Sequence, residues 1–166
     1  MIDQRRAHIR ILFERYLKNL ETRKGLSQKL LFPEILNLDQ DDKYLVDDIA
    51  IELRALGFDL QKTDKEEIEV LAIPGDLLVT NAATDVLQSI VGIAKHNKEM
   101  MKSVLHEKMA ASLAEYSAIG YGKAMNNEEM QDLVDQLFAC KMPSYTPDGK
   151  SVVSILNNED LIQRFS

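Results

Sequence analysis

The first regular pattern along the chain is a stripe of apolar side chains spaced three and four residues apart. This spacing places them on one face of a helix. The members of the stripe are Ile9, Leu12, Phe13, Tyr16, Leu17 and Leu20. The charged side chains between them, which are expected to face solvent, are Arg10, Glu14, Arg15 and Lys18. The helix is predicted to end at Lys24-Gly25, because glycine accepts the left-handed conformation that commonly closes a helix.

Shorter apolar runs predict a small sheet and a second helix in the residues that follow. Residues 30–38 form an apolar run interrupted by Pro33 and Glu34, which indicates a strand at a sheet edge. A second helix is predicted to begin at the carboxylates of residues 39–42 and to end at Gly57. Residues 58–60 and 68–70 alternate with period two around a polar turn, which predicts a β-hairpin.

The remainder of the chain is predicted to be mostly helical. Capping asparagines and glycine or proline turns separate its elements. In order, these elements are helices at about 86–97 and 102–124, a helix capped by Asn126 or Asn127, a loop at 143–149, a short strand at 152–156, and a last helix from Asn157 or Asn158 to Phe165. The fold class is therefore predicted to be α+β with short strands.

Composition narrows the classes of function. The chain has 166 residues, of which 45% are hydrophobic, so it is long enough for one core or two small lobes. Its net charge of −7 disfavours a free-standing nucleic-acid binder, because such proteins neutralise phosphates with lysine and arginine, and any DNA contact should be weak or indirect. One cysteine, Cys140, excludes an internal disulfide and fits a reducing compartment. Without an apolar run of membrane-spanning length or a hydrophobic leader, the chain is predicted to be cytoplasmic.

Four separate stretches carry motifs in a fixed order. They are residues 2–14 (IDQRRAHIRILFE), residues 28–34 (QKLLFPE), residues 111–114 (ASLA) followed by 126–130 (NNEEM), and residues 146–150 (TPDGK). Together they resemble the C-terminal region of the MutL family of DNA mismatch-repair proteins. Four collinear matches over nearly the whole chain arise by chance far less often than one short motif.

The resemblance implies a fold of two lobes and a role in assembly. Residues 1–27 and 118–166 would form a dimerisation lobe, and residues 28–117 a regulatory lobe. Family members have strands upstream of the Asp-Gln turn at which this sequence starts, so Met1-Ile2 is expected to be the end of such a strand. The resemblance further implies a homodimer, an ATPase in the N-terminal part of the full-length protein, and repair partners such as a mismatch-recognition protein, a helicase or a separate nuclease.

Some relatives are endonucleases, and their metal ligands can be compared with this sequence position by position. They carry a histidine and a glutamate four residues apart on the first helix, where this chain has Arg5 and Ile9. The cysteine of an A-C-K motif corresponds to Glu115, and the cysteine and histidine of the C-P-H-G-R loop correspond to Thr146 and Asp148. None of the metal-ligand residues of these relatives is present at its corresponding position in this sequence. The comparison therefore predicts a non-catalytic region with no metal or other cofactor.

An alternative hypothesis is that this region is an enzyme. Asp3, Glu115 and Asp148 are carboxylates, and oxygen ligands suit Mg²⁺, Mn²⁺ or Ca²⁺, so a divergent nicking endonuclease is conceivable. Arg5 opposes it by placing a fixed positive charge in the same space. An ion pair from Arg5 to Asp148 or Glu115 is the favoured expectation.

Other candidate residues receive structural interpretations. The three histidines, His8, His96 and His106, lack metal-spaced partners and are expected at the surface or as caps. Cys140 is expected to be a small, half-buried thiol. A weaker hypothesis, contact with single-stranded DNA or a helicase through the first helix, would use Arg5, Arg6, Arg10, Arg15 and Lys18.

One segment resembles a docking peptide. Gln28, Leu30, Leu31 and Pro33 match the short motif by which repair proteins bind the sliding clamp, in which glutamine makes polar contacts and two aliphatic residues fill a pocket. An apolar strand with a proline is also what the edge of a sheet looks like, so both interpretations remain open.

Overall fold

The first apolar stripe forms helix α1, Gln4–Thr22, in a computed structural model that describes residues 1–77, 83–97, 99–155, 157 and 162. The other elements, in chain order, are β1 (Ser27–Leu36), α2 (Gln40–Asp48), α3 (Ala50–Leu56), β2 (Asp59–Lys62), β3 (Ile68–Pro74), α4 (Ala83–His96), α5 (Lys102–Ser117) and α6 (Asn127–Phe138). Helices with one small sheet confirm the predicted α+β class. No helix among the described residues is long and apolar enough to cross a membrane.

The three strands form one antiparallel sheet in the order β1-β3-β2. Strand β3 is central, and its alternate residues Ile68, Val70 and Ala72 are buried, as period-two alternation requires for a sheet with one covered face. Strands β2 and β3 are the predicted hairpin. Strand β1 lies at the edge that the proline in residues 30–38 indicated, although it begins earlier, at Ser27.

The predicted second helix is wrong in one respect, because the structure divides it into α2 and α3. Asp39 caps α2 as expected, since its side chain accepts a hydrogen bond from the Asp42 N–H. The backbone leaves the helical region at Ile49, with φ of −106° and ψ of 15°. The apolar spacing continues across this break, and no glycine or proline marks it.

Gly57 closes α3 in the left-handed conformation, with φ of 105°. A Cβ added here would stand 2.5 Å from the Leu26 carbonyl oxygen, so the chain before β1 passes too close for any side chain. Gly25 lies in the same crossing, where an added Cβ would stand 2.3 Å from the Ala55 carbonyl oxygen. Two glycines therefore let two backbone segments approach each other directly.

Helix α5 ends at Ser117, seven residues before the predicted end, because tertiary contacts capture the next backbone groups. The Ile119 N–H donates to Nδ1 of His8 at 3.0 Å, and the Ile119 carbonyl accepts from Nη1 of Arg5 at 2.9 Å. A helix that continued would use both backbone groups internally. Gly122 then turns the chain with φ of 77°.

The chain divides into two compact units, of which the first comprises residues 1–11 and 119–166 and the second residues 12–118. The core of the first unit consists of Ala7, Ile11, Leu133, Leu137 and Val152. In the second unit α4 packs against α2, α5 and β1. Its largest fully buried side chains include Tyr16, Phe58, Leu53, Ile90 and Met109. The assignment of dimerisation and regulation to the two predicted lobes remains a prediction.

The two ends of the described chain meet in the first unit. Ile2 forms an isolated antiparallel bridge with Val153, where the Asp3 N–H donates to the Val152 carbonyl and the Ser154 N–H to the Met1 carbonyl, at 3.0 and 2.9 Å. The strand predicted at 152–156 is thus reduced, within its described part, to one isolated bridge at Val153. The last predicted helix lies outside the described residues, apart from Asn157 and Ile162.

Candidate functional site

Arg5 occupies the first position of the ligand comparison and is bound into the fold of the first unit. Its guanidinium donates to the Ile119 carbonyl and lies over the Tyr121 ring, 5.6 Å from the ring centroid. A guanidinium over an aromatic face gains cation–π attraction in addition to its hydrogen bond. Ile9, at the second position, is half-buried on the same helix and offers no lone pair. The two α1 positions therefore carry a cation and a hydrocarbon.

The loop at residues 144–152 holds the last two positions of the comparison, Thr146 and Asp148. Thr146 is buried, its N–H donates to the Lys150 carbonyl at 2.9 Å, and its hydroxyl oxygen accepts from the Lys150 N–H at 2.9 Å. Gly149 has φ of 84°, which permits the tight turn between them. The Thr146 side chain stabilises the loop on which it sits.

Asp148 is engaged within this loop. It accepts a hydrogen bond from the Thr146 hydroxyl and forms an ion pair with Lys150 at 2.7 Å. The hydrogen bond from Lys150, followed by that from Thr146, lowers the pKa of the Asp148 carboxyl. Its negative charge is therefore already matched by a neighbouring cation.

The other two carboxylates of the alternative hypothesis are Asp3, in the first unit, and Glu115, in the second. Asp3 caps α1, because its side chain accepts from the Arg6 N–H at 2.9 Å and pairs with the Arg6 guanidinium at 3.5 Å. Glu115 is exposed on α5 in the second unit. The expected ion pair from Arg5 to Asp148 or Glu115 stays a prediction.

One expectation about the basic face of α1, the exposure of Arg10, is wrong. This residue was predicted to face solvent, but it is only 5% exposed and its Nε donates to the Tyr145 carbonyl at 2.5 Å. Arg6 donates to the Ser151 carbonyl at 2.8 Å, and Arg15 pairs with Asp76 at 2.6 Å. Three arginines of the proposed DNA-contacting face therefore support structure within the chain.

The histidines occupy structural positions. His8 accepts from the Ile119 backbone through Nδ1, and His96 Nδ1 lies 2.7 Å from the Gly92 carbonyl of its own helix. His106 lies 3.5 Å from the buried carboxylate of Glu52, which also pairs with Lys102 at 2.7 Å. Burial alone would raise the pKa of Glu52, but hydrogen bonds from Lys102, the backbone and His106, with the charge of Lys102, hold it below its usual value.

Residues 28–33 form a protruding segment on β1. Lys29 pairs with Ala72 and Glu34 pairs with Val70, so the four residues from 30 to 33 stand opposite Leu71 alone. This irregularity is a large β-bulge, which pushes the additional residues out of the ladder. Leu31 is 93% exposed and Phe32 83% exposed as a result. We call residues 28–33 the β1 bulge segment.

The β1 bulge segment carries all four residues of the docking motif. Gln28 and Pro33 are exposed and Leu30 is half-buried, in addition to the exposed Leu31. Phe32 is not one of the four motif residues, although it is the larger of the two exposed apolar side chains. An edge strand explains the location of the segment, but it does not explain two neighbouring large apolar side chains in solvent.

Comparison with known proteins decides the family. Residues 1–125 match the family described as the MutL C-terminal dimerisation domain. The chain belongs to this family. The resemblance of the four motifs to MutL is thereby confirmed.

Curated MutL relatives match over nearly the whole chain. The DNA mismatch repair protein MutL of Bacteroides fragilis is 38% identical over 165 residues, which is 99% of this chain and 26% of that protein. The MutL protein of Phocaeicola vulgatus is 37% identical with the same coverage, and that of Christiangramia forsetii is 33% identical over 100% of this chain and 27% of its own length. The chain therefore spans about a quarter of the length of these MutL relatives.

Four of the five positions compared with the metal ligands of nuclease-competent relatives carry side chains that fit a divalent ion poorly, and the fifth is the exposed carboxylate of Glu115. A cationic guanidinium and an isoleucine stand at the first two positions, Thr146 stabilises its own loop, and Asp148 pairs with Lys150. Among the residues that the structure describes, no three or more histidine, cysteine, aspartate or glutamate side chains form a group that could hold a metal.

Proposed function

We propose that this chain is the non-catalytic C-terminal dimerisation and partner-binding module of a MutL-type protein in DNA mismatch repair. The match to the dimerisation domain family carries this proposal, and the names of the relatives support the repair role. The lobe built from both chain ends would join two copies into a homodimer. In the full-length protein, an ATPase in the N-terminal part would then act across the joined pair.

The absence of nuclease activity is part of the proposal. It is supported by the guanidinium of Arg5, bound to Ile119 and Tyr121, at a position where relatives carry a ligand. Asp3 caps α1 and Asp148 pairs with Lys150, so no observation favours the alternative nuclease built on Asp3, Glu115 and Asp148.

A nicking assay tests this part. Supercoiled plasmid is incubated with the full-length protein and Mn²⁺, and a nuclease-competent MutL relative serves as the positive control. The expected result is no nicking above the level without protein. Mn²⁺-dependent nicking that is lost on Asp148→Asn would overturn the non-catalytic assignment.

The β1 bulge segment is the candidate docking site for the sliding clamp. The exposure of Leu31 and Phe32 on a bulged edge strand supports it, since an extended segment with protruding apolar side chains suits insertion into a preformed pocket. Gln28 is exposed beside them and available for polar contacts. A mismatch-recognition protein, a helicase or a separate nuclease are the other partners that the MutL resemblance implies.

Clamp binding is tested with a double variant and a matched control. Gln28→Ala with Leu31→Ala should weaken capture by immobilised clamp at least about tenfold, a loss typical of central interface side chains. Leu26→Ala with Ile51→Ala is the control, because both residues are exposed and lie outside the motif. Equal retention of the two double variants would remove the clamp from the proposed partners.

A further inference from the structure

Basic side chains gather where the chain before β1 crosses the end of α3. Lys24 directly precedes Gly25, and Arg54 directly precedes Ala55, whose carbonyl oxygen would stand 2.3 Å from a Cβ added to Gly25. The crossing that the two glycines permit therefore brings together two cations that are far apart in sequence.

Three more exposed cations extend this surface. Lys18 lies in α1 one turn before its end, Arg23 follows the helix directly, and Lys29 lies in β1. We call Lys18, Arg23, Lys24, Lys29 and Arg54 the basic patch. All five side chains are exposed, and all five belong to the second unit.

The basic patch is distinguished by its lack of internal counter-charges. Within the described residues, none of its five side chains forms an ion pair. Elsewhere in the same unit, cations are paired with carboxylates: Arg15 with Asp76, Lys62 with Asp47, Lys95 with Asp42, and Lys102 with Glu52. Because the chain carries a net charge of −7, a shortage of carboxylates does not explain the difference.

The surroundings leave the patch with an excess of positive charge. Glu21 is the one acidic residue among residues 18–29, and the nearby Glu52 is buried and paired with Lys102. Helix macrodipoles stabilise cations at the ends of α1 and α3, but they do not bring the two helix ends together. The patch is therefore a local cationic surface on an acidic chain.

We infer that the basic patch binds the phosphate backbone of duplex DNA without reading its sequence. The inference rests on the proposed role in DNA repair and adds the surface of this chain that contacts DNA. Exposed lysine and arginine side chains neutralise phosphates and release their counterions. Single-strand binding also uses aromatic side chains on which bases stack, and residues 18–29 and 50–57 contain none. Protein interfaces are depleted of lysine, which supplies three of the five residues.

The test measures the fluorescence anisotropy of a short labelled duplex with the 166-residue chain between about 50 and 200 mM NaCl. Three to five phosphate contacts should give a slope of about −3 to −4.5 in the logarithm of the association constant against that of the salt concentration. A single strand of the same length should bind more weakly than the duplex. Two duplexes of unrelated sequence should bind equally.

Lys24→Gln with Arg54→Gln should weaken duplex binding at least about tenfold at the lowest salt and reduce the slope by about two. Lys62→Gln with Lys65→Gln is the matched control, because it removes the same charge from exposed residues. Lys62 pairs with Ile68, at the end of the sheet opposite to Pro74 and the crossing, so this control should change affinity less than about threefold. Lys24→Gln alone, which leaves α3 unaltered, should reduce the slope by about one.

The outcomes separate DNA contact from dimerisation and clamp docking. If the wild type shows no salt-dependent duplex binding, the inference is overturned, while both other roles stand. If the two double variants weaken binding equally, net charge and not the basic patch is responsible, and the inference is wrong. If the patch variant keeps its duplex affinity but loses capture by clamp in the absence of DNA, the patch serves an acidic protein surface instead. Tighter binding of the single strand would also overturn it.

Discussion

Replacing Arg10 by methionine removes the hydrogen bond that connects α1 to the loop at residues 144–152. The methionine keeps most of the aliphatic stem, so packing is largely retained while the donor at 2.5 Å from the Tyr145 carbonyl is lost. A hydrogen bond from a charged group contributes roughly 1.5–3 kcal/mol to stability, and the near-complete burial of Arg10 places the expected loss within that range. A loss of about 2 kcal/mol corresponds to roughly a 30-fold rise in the population of the opened loop.

Hydrogen exchange measures this loss directly. The Thr146 N–H donates to Lys150 and the Val152 N–H to Ser144, so both amides should exchange roughly 10–100-fold faster in the variant. Arg15→Met is the matched control, because the Arg15 side chain is 40% exposed and its ion pair with Asp76 should contribute no more than about 1 kcal/mol. Unchanged exchange in Arg10→Met, or an equal effect of Arg15→Met, would refute the structural role assigned to Arg10.

Three further predictions concern stability. The pKa of Glu52 is lowered in the folded chain, so the stability that its carboxylate contributes is present above the usual pKa of 4.5 and is lost as pH falls through the folded pKa. Glu52→Gln should therefore flatten the decline in melting temperature between about pH 5 and 3, and an equally steep decline would contradict this. Gly57→Ala should lower the free energy of urea unfolding by about 2 kcal/mol or more, because the backbone is left-handed and the Leu26 carbonyl is close. Gly92→Ala should raise it by about 0.5–1 kcal/mol, because this mid-helix position has open space around it. Changes of the same sign in both variants would be inconsistent with the close approach of the two backbone segments at Gly57. Leu137→Ala should cost about 2–5 kcal/mol, because the side chain is completely buried, and a change below about 1 kcal/mol would rule out the described core.

Local signals were sufficient to predict most of the helices. The capping residue of α6 is an example, since the Asn126 side chain accepts from the Glu129 N–H at 2.9 Å and the Glu129 carboxylate accepts from the Asn126 N–H at 2.8 Å. All the atoms of this capping box lie within four consecutive residues, so the sequence contains the complete cause. The glycine at the end of α3 could be predicted for the same reason.

Features that depend on distant residues could not be predicted in this way. Helix α5 stops early because Ile119 bonds to His8 and Arg5, which lie more than a hundred residues earlier in the chain. Arg10 is buried because its Nε donates a hydrogen bond to the carbonyl of Tyr145, 135 residues later in the chain. A polar residue in a helical pattern is usually exposed to solvent, and only a hydrogen-bond partner elsewhere in the fold reverses that expectation.

In the candidate site, too, local features could be predicted from the sequence and contacts between distant residues could not. The sequence comparison identified which residue types replaced the ligands, but it could not show that Asp148 has Lys150 as its cation. It also placed the docking motif on an edge strand without revealing the bulge that exposes Leu31. Bulges depend on the register between two strands, and residues 68–74 are about forty positions away from β1.

The irregular pairing frees residues 30–33 of the β1 bulge segment from the ladder of the sheet that carries them. Four residues stand opposite one, so their identities do not determine which side chains of Glu34 to Leu36 face the core. Pro33 is tolerated because a residue outside the ladder needs no N–H for it. Residues 30–33 could therefore be exchanged for those of a relative while the paired residues of β1 keep their partners in β3.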